Sequence, residues 1–104
     1  MNRTSTAVWQ GTGADGQGRL STQSGAFVDQ PYSFKARFQA EDGKAGTNPE
    51  ELLGAAHAGC FTMALAFRCG AAGHPPSALR TEARVDMVKT EGGWTIPSIH
   101  LTCV

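Results

Sequence analysis

The side chains best suited to chemistry lie within one apolar segment, "TNPEELLGAAHAGCFTMALAF", residues 47–67. Cys60 stands near its middle and His57 comes three residues earlier. Two carboxylates, Glu50 and Glu51, lie near the start of the segment. A cysteine is a nucleophile in its thiolate form, and a neighbouring cation or base favours that form. The segment is therefore a candidate for nucleophilic thiol chemistry.

Two other interpretations of Cys60 stay open. Free cysteine is among the most buried residue types, so a lone cysteine in an apolar helix is often an inert part of the core. Alternatively, His57 and Cys60 share one helical face and would supply two metal ligands. That site needs further ligands, and His74, His100 and Cys103 have no spacing that predicts them. We therefore predict that the protein binds no metal.

The local sequence predicts a helix with a well-defined start. Asn48 suits the N-cap, Pro49 suits the first helical position, and Glu51 completes a capping box. Glu50 has no role in that cap and is a candidate to hold an orienting cation. The helix is expected to end within "CGAAGHPP", residues 69–76, where glycines and paired prolines stop it.

From Leu52 onward the predicted helix is apolar nearly all round, which is typical of a central helix that packs on several sides. Small residues would let another backbone approach closely; they are Gly54, Ala55, Ala58 and Gly59. Glu50 precedes Cys60 by ten residues, which is about 15 Å along a straight helix. A bend at one of the two glycines, or an antiparallel partner helix, would shorten that gap. Because one chain of 104 residues can hardly bury such a helix, we expect a homodimer.

Strand patterns flank the helix on both sides. Three runs before it, "TAVWQG", "GRLSTQ" and "YSFKARF", tend to alternate apolar and polar residues, as antiparallel strands with one exposed face do. In the third run Arg37 and Lys35 lie on the face opposite Phe34. After the helix, "TEARVDMV" and "WTIPSIHLTCV" joined by "TEGG" predict a hairpin with Pro97 at a bulge or an edge. The predicted fold class is α+β.

Composition restricts the possible partners and the cellular location. The 104 residues predict a single domain over 1–104, and nine basic side chains balance nine acidic ones, which favours neither nucleic acid nor an anionic membrane. The start of the chain has no signal peptide pattern, and the stretch from Leu52 to Phe67 is interpreted as too short and too interrupted to span a membrane. Three cysteines without paired spacing indicate reduced thiols. We expect a cytoplasmic protein.

The run "GTNPEELLGAAHAGCFTMAL", preceded by "QPYSFKARF" and followed by the predicted hairpin, resembles the osmotically inducible protein C (OsmC) family, relatives of the organic hydroperoxide resistance proteins. The similarity runs through essentially the whole chain, from "VWQG" to "SIHL". It implies an OsmC-like fold, in which antiparallel sheets surround a long central helix in an intertwined homodimer. It also implies a thiol-dependent peroxidase that acts on organic hydroperoxides in stress defence.

By motif position, the resemblance makes Cys60 the peroxidatic cysteine and Arg37 the activating arginine. Glu50 becomes the carboxylate that holds the arginine in place. Phe61 and Met63 would form an apolar wall of the pocket, and His57 would polarise it, although structural packing is its more frequent role. No cofactor is implied, because an external dithiol would reduce the oxidised cysteine.

The resemblance further implies that family members continue for several dozen residues, through a helix with a resolving cysteine. The chain is therefore expected to lack the C-terminal part of the family fold. Cys69 is no obvious substitute, because nine residues place it on the opposite side of the helix from Cys60 and roughly 13 Å along it. Cys103 is expected to pack as a small apolar residue. The alternative function is a non-enzymatic dimeric module that binds a small molecule and has a structural cysteine.

Overall fold

The computed structural model describes residues 1–34, 46–90 and 92–104. It confirms the α+β class. The elements are β1 (Ser5–Gln10), β2 (Gln17–Thr22), β3 (Gln30–Tyr32), α1 (Pro49–Ala71), β4 (Thr81–Thr90) and β5 (Gly93–Cys103). The strands form a three-stranded sheet, β1-β2-β3, and a two-stranded sheet, β4-β5, both antiparallel. The chain divides into two compact units, Met1–Pro49 and Glu50–Val104. The prediction of a single domain stays a prediction.

The first unit contains an aromatic pair that lies across a glycine. Trp9 on β1 and Tyr32 on β3 both align with Gly18 on the central strand. Their ring centroids are 5.5 Å apart with a tilt of 58° between the planes. A Cβ atom at Gly18 would overlap the Tyr32 ring and would lie 2.8 Å from Cε3 of Trp9. Glycine therefore lets the two rings meet over the middle strand.

The third strand differs from the sequence prediction. β3 ends at Tyr32, so the strand expected over residues 32–38 does not continue to Phe34. β2 pairs with β3 only from Gly18 to Leu20, and Tyr32 also bridges to Thr47. Residues 35–38 of the predicted strand lie outside the described residues, and Arg37 is among them.

Helix α1 has the predicted start and an end within the predicted segment. It begins at Pro49 and has 23 residues. It ends in a Schellman motif, in which the N–H of His74 donates to the carbonyl of Cys69 at 2.8 Å and the N–H of Gly73 donates to that of Gly70 at 3.1 Å. Gly73 has a φ of 85°, a conformation that glycine adopts without steric cost.

In the second unit, one side of α1 packs on the β4–β5 hairpin. Gly54 is buried there, and a Cβ atom at this position would lie 3.2 Å from Cγ2 of Val85 and 3.6 Å from Cβ of Ala83. Eight residues further on, Oγ1 of Thr62 lies 2.6 Å from Oγ1 of Thr81. The helix and the hairpin are thus in contact at two levels. The close approach that Gly54 permits is to this hairpin.

The hairpin itself confirms the sequence prediction. Asp86 pairs with Ser98 and Val88 pairs with Thr95, so one residue of β4 lies opposite Ile96 and Pro97. This two-against-one pairing is a β-bulge, and Pro97 belongs to it, where its missing N–H costs no regular ladder bond. The side of β4 expected to be apolar is half-buried; its residues are Ala83, Val85 and Met87.

Several large apolar residues on the other sides of α1 are exposed. Leu53, Met63 and Phe67 are 44%, 64% and 75% exposed. Among the described residues of the second unit, the hairpin covers one side of α1, so the packing of the helix on several sides stays a prediction. With 23 residues and a window of mean hydropathy 1.3, α1 is also long and apolar enough to span a membrane, so the sequence argument from its length was wrong. A single helix of this kind is weak evidence for a membrane span.

Candidate active site

Cys60 lies on the side of α1 that is turned away from the hairpin. With about 100° of rotation per residue, the side chains close to Cys60 in direction form one face of the helix. This Cys60 face consists of Leu53, Ala56, His57, Cys60, Met63, Ala64 and Phe67, all of them exposed. The anchoring residues Gly54 and Thr62 project from the other side. A free thiol therefore stands in the middle of an exposed, mostly apolar surface.

Two of the three predicted pocket residues belong to this face. His57 is exposed one turn before Cys60, and Met63 is exposed about one turn after it. Phe61 is 40% exposed, but it projects about 100° round the helix from Cys60, toward the flank of the hairpin contact. His57 and Met63 thus share the surface of the thiol, whereas Phe61 borders it.

Glu50 is half-buried in the first turn of α1. The helix continues without interruption through Gly54 and Gly59, so about 15 Å of helix separates Glu50 from Cys60 within one chain. The structure does not bring these two residues together in the same chain. Arg37 lies outside the described residues. The roles of Arg37 and Glu50 stay predictions.

The other two thiols are half-buried and free. Cys69 is nine residues after Cys60, which turns it to the opposite side of the helix. Cys103 is on β5 and pairs with Thr81 on β4. Among residues 1–34, 46–90 and 92–104, no group of three His, Cys, Asp or Glu side chains is placed to hold a metal ion. The absence of a metal stays a prediction.

An open groove of about 520 Å³ lies along α1 next to the Cys60 face. It is lined by Ala58, Gly59, Thr62, Met63, Ala66, Pro76, Leu79 and Thr81. Met63 belongs both to this groove and to the Cys60 face. Sequence reasoning missed Thr62 and Thr81. One signal in the sequence indicated Thr62: it is a threonine inside an apolar helix. The hydroxyl of such a threonine needs a hydrogen-bond partner and often bonds to the carbonyl four residues earlier.

Comparison with known proteins gives consistent results. The model of the family described as OsmC-like proteins matches residues 41–104. The chain is 47% identical over 95 residues to Peroxiredoxin OsmC of Escherichia coli (strain K12), and the figure is the same for the Shigella flexneri protein of that name. The match covers 91% of this chain and 64% of each relative, so the chain spans just under two thirds of the curated relatives' length.

Two solved structures are similar over 96% of this chain. The organic hydroperoxide resistance protein OhrB of Bacillus subtilis is 27% identical with a TM-score of 0.68, and 70% of that chain is covered. An organic hydroperoxide resistance protein OsmC from Legionella pneumophila is 22% identical with a TM-score of 0.70, and 69% of it is covered. The second comparison bears on the fold alone. Together they confirm the predicted OsmC-like fold of the chain.

Proposed function

The chain belongs to the family of OsmC-like proteins, and from this premise we propose that it is a thiol-dependent peroxidase that reduces organic hydroperoxides to alcohols through Cys60. The observation that carries the proposal is the position of Cys60. It is a free, exposed thiol in the middle of an apolar helix face, inside the region that the family model matches. The related proteins named peroxiredoxin and organic hydroperoxide resistance protein support the same reaction.

The proposed reaction needs only two reactants besides the protein, an organic hydroperoxide and a dithiol. The Cys60 thiolate attacks the terminal oxygen of the hydroperoxide, so that an S–O bond forms while the O–O bond breaks. The leaving alkoxide takes up a proton and departs as the alcohol, and the sulfur becomes a sulfenic acid. One thiol of an external dithiol then forms a mixed disulfide and releases water. Its second thiol displaces Cys60 and restores the thiolate, so no cofactor is needed.

Charged residues assist this attack in our proposal. Arg37 favours the thiolate over the thiol, and its planar guanidinium orients the peroxide oxygens. Glu50 fixes the guanidinium by a charge-assisted hydrogen bond. Met63 and Phe61 provide apolar surface for the organic group of the substrate. His57 contributes a polar edge to the same surface.

A homodimer completes the site in this proposal. The exposed Cys60 face is apolar, and such a surface is typical of an interface. On the Cys60 face, the exposed small residue Ala56 leaves room for a partner helix to cross closely at the level of Ala55, which itself projects toward the hairpin side. An antiparallel partner helix crossing near Ala55 would bring its Glu50 toward Cys60 of the first chain. We infer that α1 is buried between two copies and does not cross a membrane, and that the protein is cytoplasmic and binds no nucleic acid.

The groove supports a second candidate function. A volume of about 520 Å³ with mostly apolar lining is in the range of small-molecule sites. The protein would then be a dimeric binding module in which Cys60 only packs.

Hydroperoxide consumption by the reduced protein decides between the two functions. We expect the parent protein to consume cumene hydroperoxide in the presence of dithiothreitol, and Cys60→Ser to lose this activity with an unchanged circular dichroism spectrum. Dimedone labelling followed by peptide mass spectrometry should place the sulfenic acid at Cys60. Consumption by Cys60→Ser at the parent rate would show that the assignment is wrong. An inactive parent protein that binds an apolar dye would favour the binding module.

Mixed dimers test the shared site. Cys60→Ser and Glu50→Ala chains are each expected to be impaired, and mixing them should restore part of the activity, because one site of the heterodimer has both native residues. A fully active monomer in sedimentation, or no recovery despite proven subunit exchange, would contradict the composite site.

A further inference from the structure

Two threonines form a hydrogen-bonded pair next to the helical turn that carries Cys60. Oγ1 of Thr62 lies 2.7 Å from the carbonyl oxygen of Ala58 and 2.6 Å from Oγ1 of Thr81. Both hydrogen bonds are partly buried. Ala58 comes two residues before Cys60 and Thr62 comes two residues after it, so the first bond spans the turn of the thiol.

Thr62 is the donor of both bonds. Its hydroxyl lies within hydrogen-bonding distance of two acceptors, the carbonyl oxygen of Ala58 and Oγ1 of Thr81, and its single proton is shared between them. Thr62 thus links the backbone of α1 to the first residue of β4. Serine at either position can reproduce it, and valine, which has a similar shape without a hydroxyl, cannot.

The pair links the turn of Cys60 to the β4–β5 hairpin. Thr81 is the first residue of β4, so the link is made at the start of that strand. The Gly54 contact with Val85 holds the helix six residues before Cys60. The turn with the thiol therefore lies between two fixed points, while the Cys60 face itself is exposed.

We propose that Thr62 and Thr81 are positioning residues for Cys60, which hold its sulfur in the direction required for attack on a peroxide. The proposal rests on the peroxidase function. Attack on the O–O bond needs the sulfur in line with that bond, and a displacement of about 1 Å can reduce a rate by roughly 100-fold. Alkylation by iodoacetamide has no such requirement for a prearranged partner. Comparing the rates of these two reactions therefore separates an effect on the position of the sulfur from an effect on the intrinsic reactivity of the thiol.

The test compares three variants at position 81 or nearby. Thr81→Val removes the hydroxyl that accepts from Thr62, Thr81→Ser keeps it, and Thr102→Val is a control at an exposed threonine of β5, opposite Glu82. For each reduced protein, one measures the second-order rate of Cys60 oxidation by cumene hydroperoxide. The rate of Cys60 alkylation by iodoacetamide at the same pH is resolved from that of the other thiols by peptide mass spectrometry.

We expect Thr81→Val to slow peroxide oxidation by about fivefold or more while alkylation stays within about twofold of the parent. Thr81→Ser and Thr102→Val should keep both rates. An unchanged peroxide rate in folded Thr81→Val would overturn the proposal. A parallel fall of both rates, or an equal loss in Thr81→Ser, would overturn it too, because either indicates general disruption.

Thr62→Val removes the donor of the same pair from the helix side and serves as the second variant if Thr81→Val does not fold. The behaviour of the parent protein shows whether the peroxidase function fails or only the positioning role of the threonines. A parent protein whose Cys60 is alkylated but not oxidised by peroxide would refute the peroxidase function, and the positioning role with it. A reactive parent with an equally reactive Thr62→Val would refute only the positioning role.

Discussion

Cys60 and Cys69 project from opposite sides of α1: Cys60 is exposed on the side turned away from the hairpin, and Cys69 is half-buried. Nine residues of helix also separate them by about 13 Å along the axis. A disulfide requires Cα atoms less than about 7 Å apart, so these two thiols cannot be joined while the helix is intact. Cys69 therefore cannot resolve an oxidised Cys60 of the same chain.

Cys69→Ser is accordingly expected to keep peroxide consumption within about twofold of the parent when an external dithiol is the reductant. The measurement is the steady-state rate with cumene hydroperoxide and dithiothreitol, with Cys60→Ser as the inactive reference. Peptide mapping of the peroxide-treated protein should show no Cys60–Cys69 disulfide. Finding that disulfide in a folded protein would contradict the helix geometry.

Arg37→Ala is expected to slow the oxidation of Cys60 by cumene hydroperoxide at pH 7, because it removes the guanidinium proposed to orient the peroxide oxygens. Arg68→Ala, which removes an exposed arginine from the last turn of α1, is the matched control. Equal rates for both variants at pH 7 would exclude Arg37 as the activating residue.

Phe67→Glu is expected to convert the protein to monomers. Phe67 is 75% exposed on the Cys60 face, and burying an unpaired carboxylate there costs several kcal/mol, enough to weaken association by about 100-fold or more. Val28→Glu, at a site that is 72% exposed outside α1, is the control. Sedimentation velocity measures both. If the Phe67→Glu protein remains dimeric, the Cys60 face is not part of the dimer interface.

Gly54→Ala and Val85→Ala are expected to be coupled. Alanine favours a helix over glycine by about 1 kcal/mol, but at Gly54 its Cβ would lie 3.2 Å from Cγ2 of Val85. The substitution should therefore stabilise the Val85→Ala protein more than the parent. Urea unfolding of the four proteins of this double-mutant cycle gives the coupling free energy. Identical effects of Gly54→Ala in both backgrounds would mean that the contact does not constrain the helix.

Gly18→Ala is expected to destabilise the first sheet by about 1–3 kcal/mol, because the added methyl group would overlap the Tyr32 ring. Gly13→Ala is the control, since a Cβ atom there has no neighbour within 4 Å. The free energy of unfolding in urea measures both, and Trp9 fluorescence reports on the affected pair. A Gly18→Ala protein as stable as Gly13→Ala would show that the rings separate without cost.

Local chemistry was enough to predict the regular elements around the site. The start of α1 at Pro49 followed from a cap and a proline, and its end from a glycine, Gly73, that adopts a left-handed φ. The β4–β5 hairpin followed from the alternation of apolar and polar residues and from a turn sequence. The position of Pro97 in a β-bulge followed from its missing N–H. These signals depend on neighbours in the chain, so the sequence by itself contains them. The motif around Cys60 likewise identified the family.

Tertiary structure decided which side of each element meets another. An almost uniformly apolar helix has no polar face to reveal its orientation, so only the packing showed that Gly54 and Thr62 meet the hairpin while Cys60 is turned away from it. The strand β3 ends at Tyr32, where its pairing with β2 stops at Gly18, and no local pattern marks that point. The bond between Thr62 and Thr81 joins residues 19 apart, and such a contact exists only after the chain has folded back. Distant contacts of this kind have no local pattern, which is why the sequence determined the elements and the reactive residue, and the tertiary structure determined what holds that residue in place.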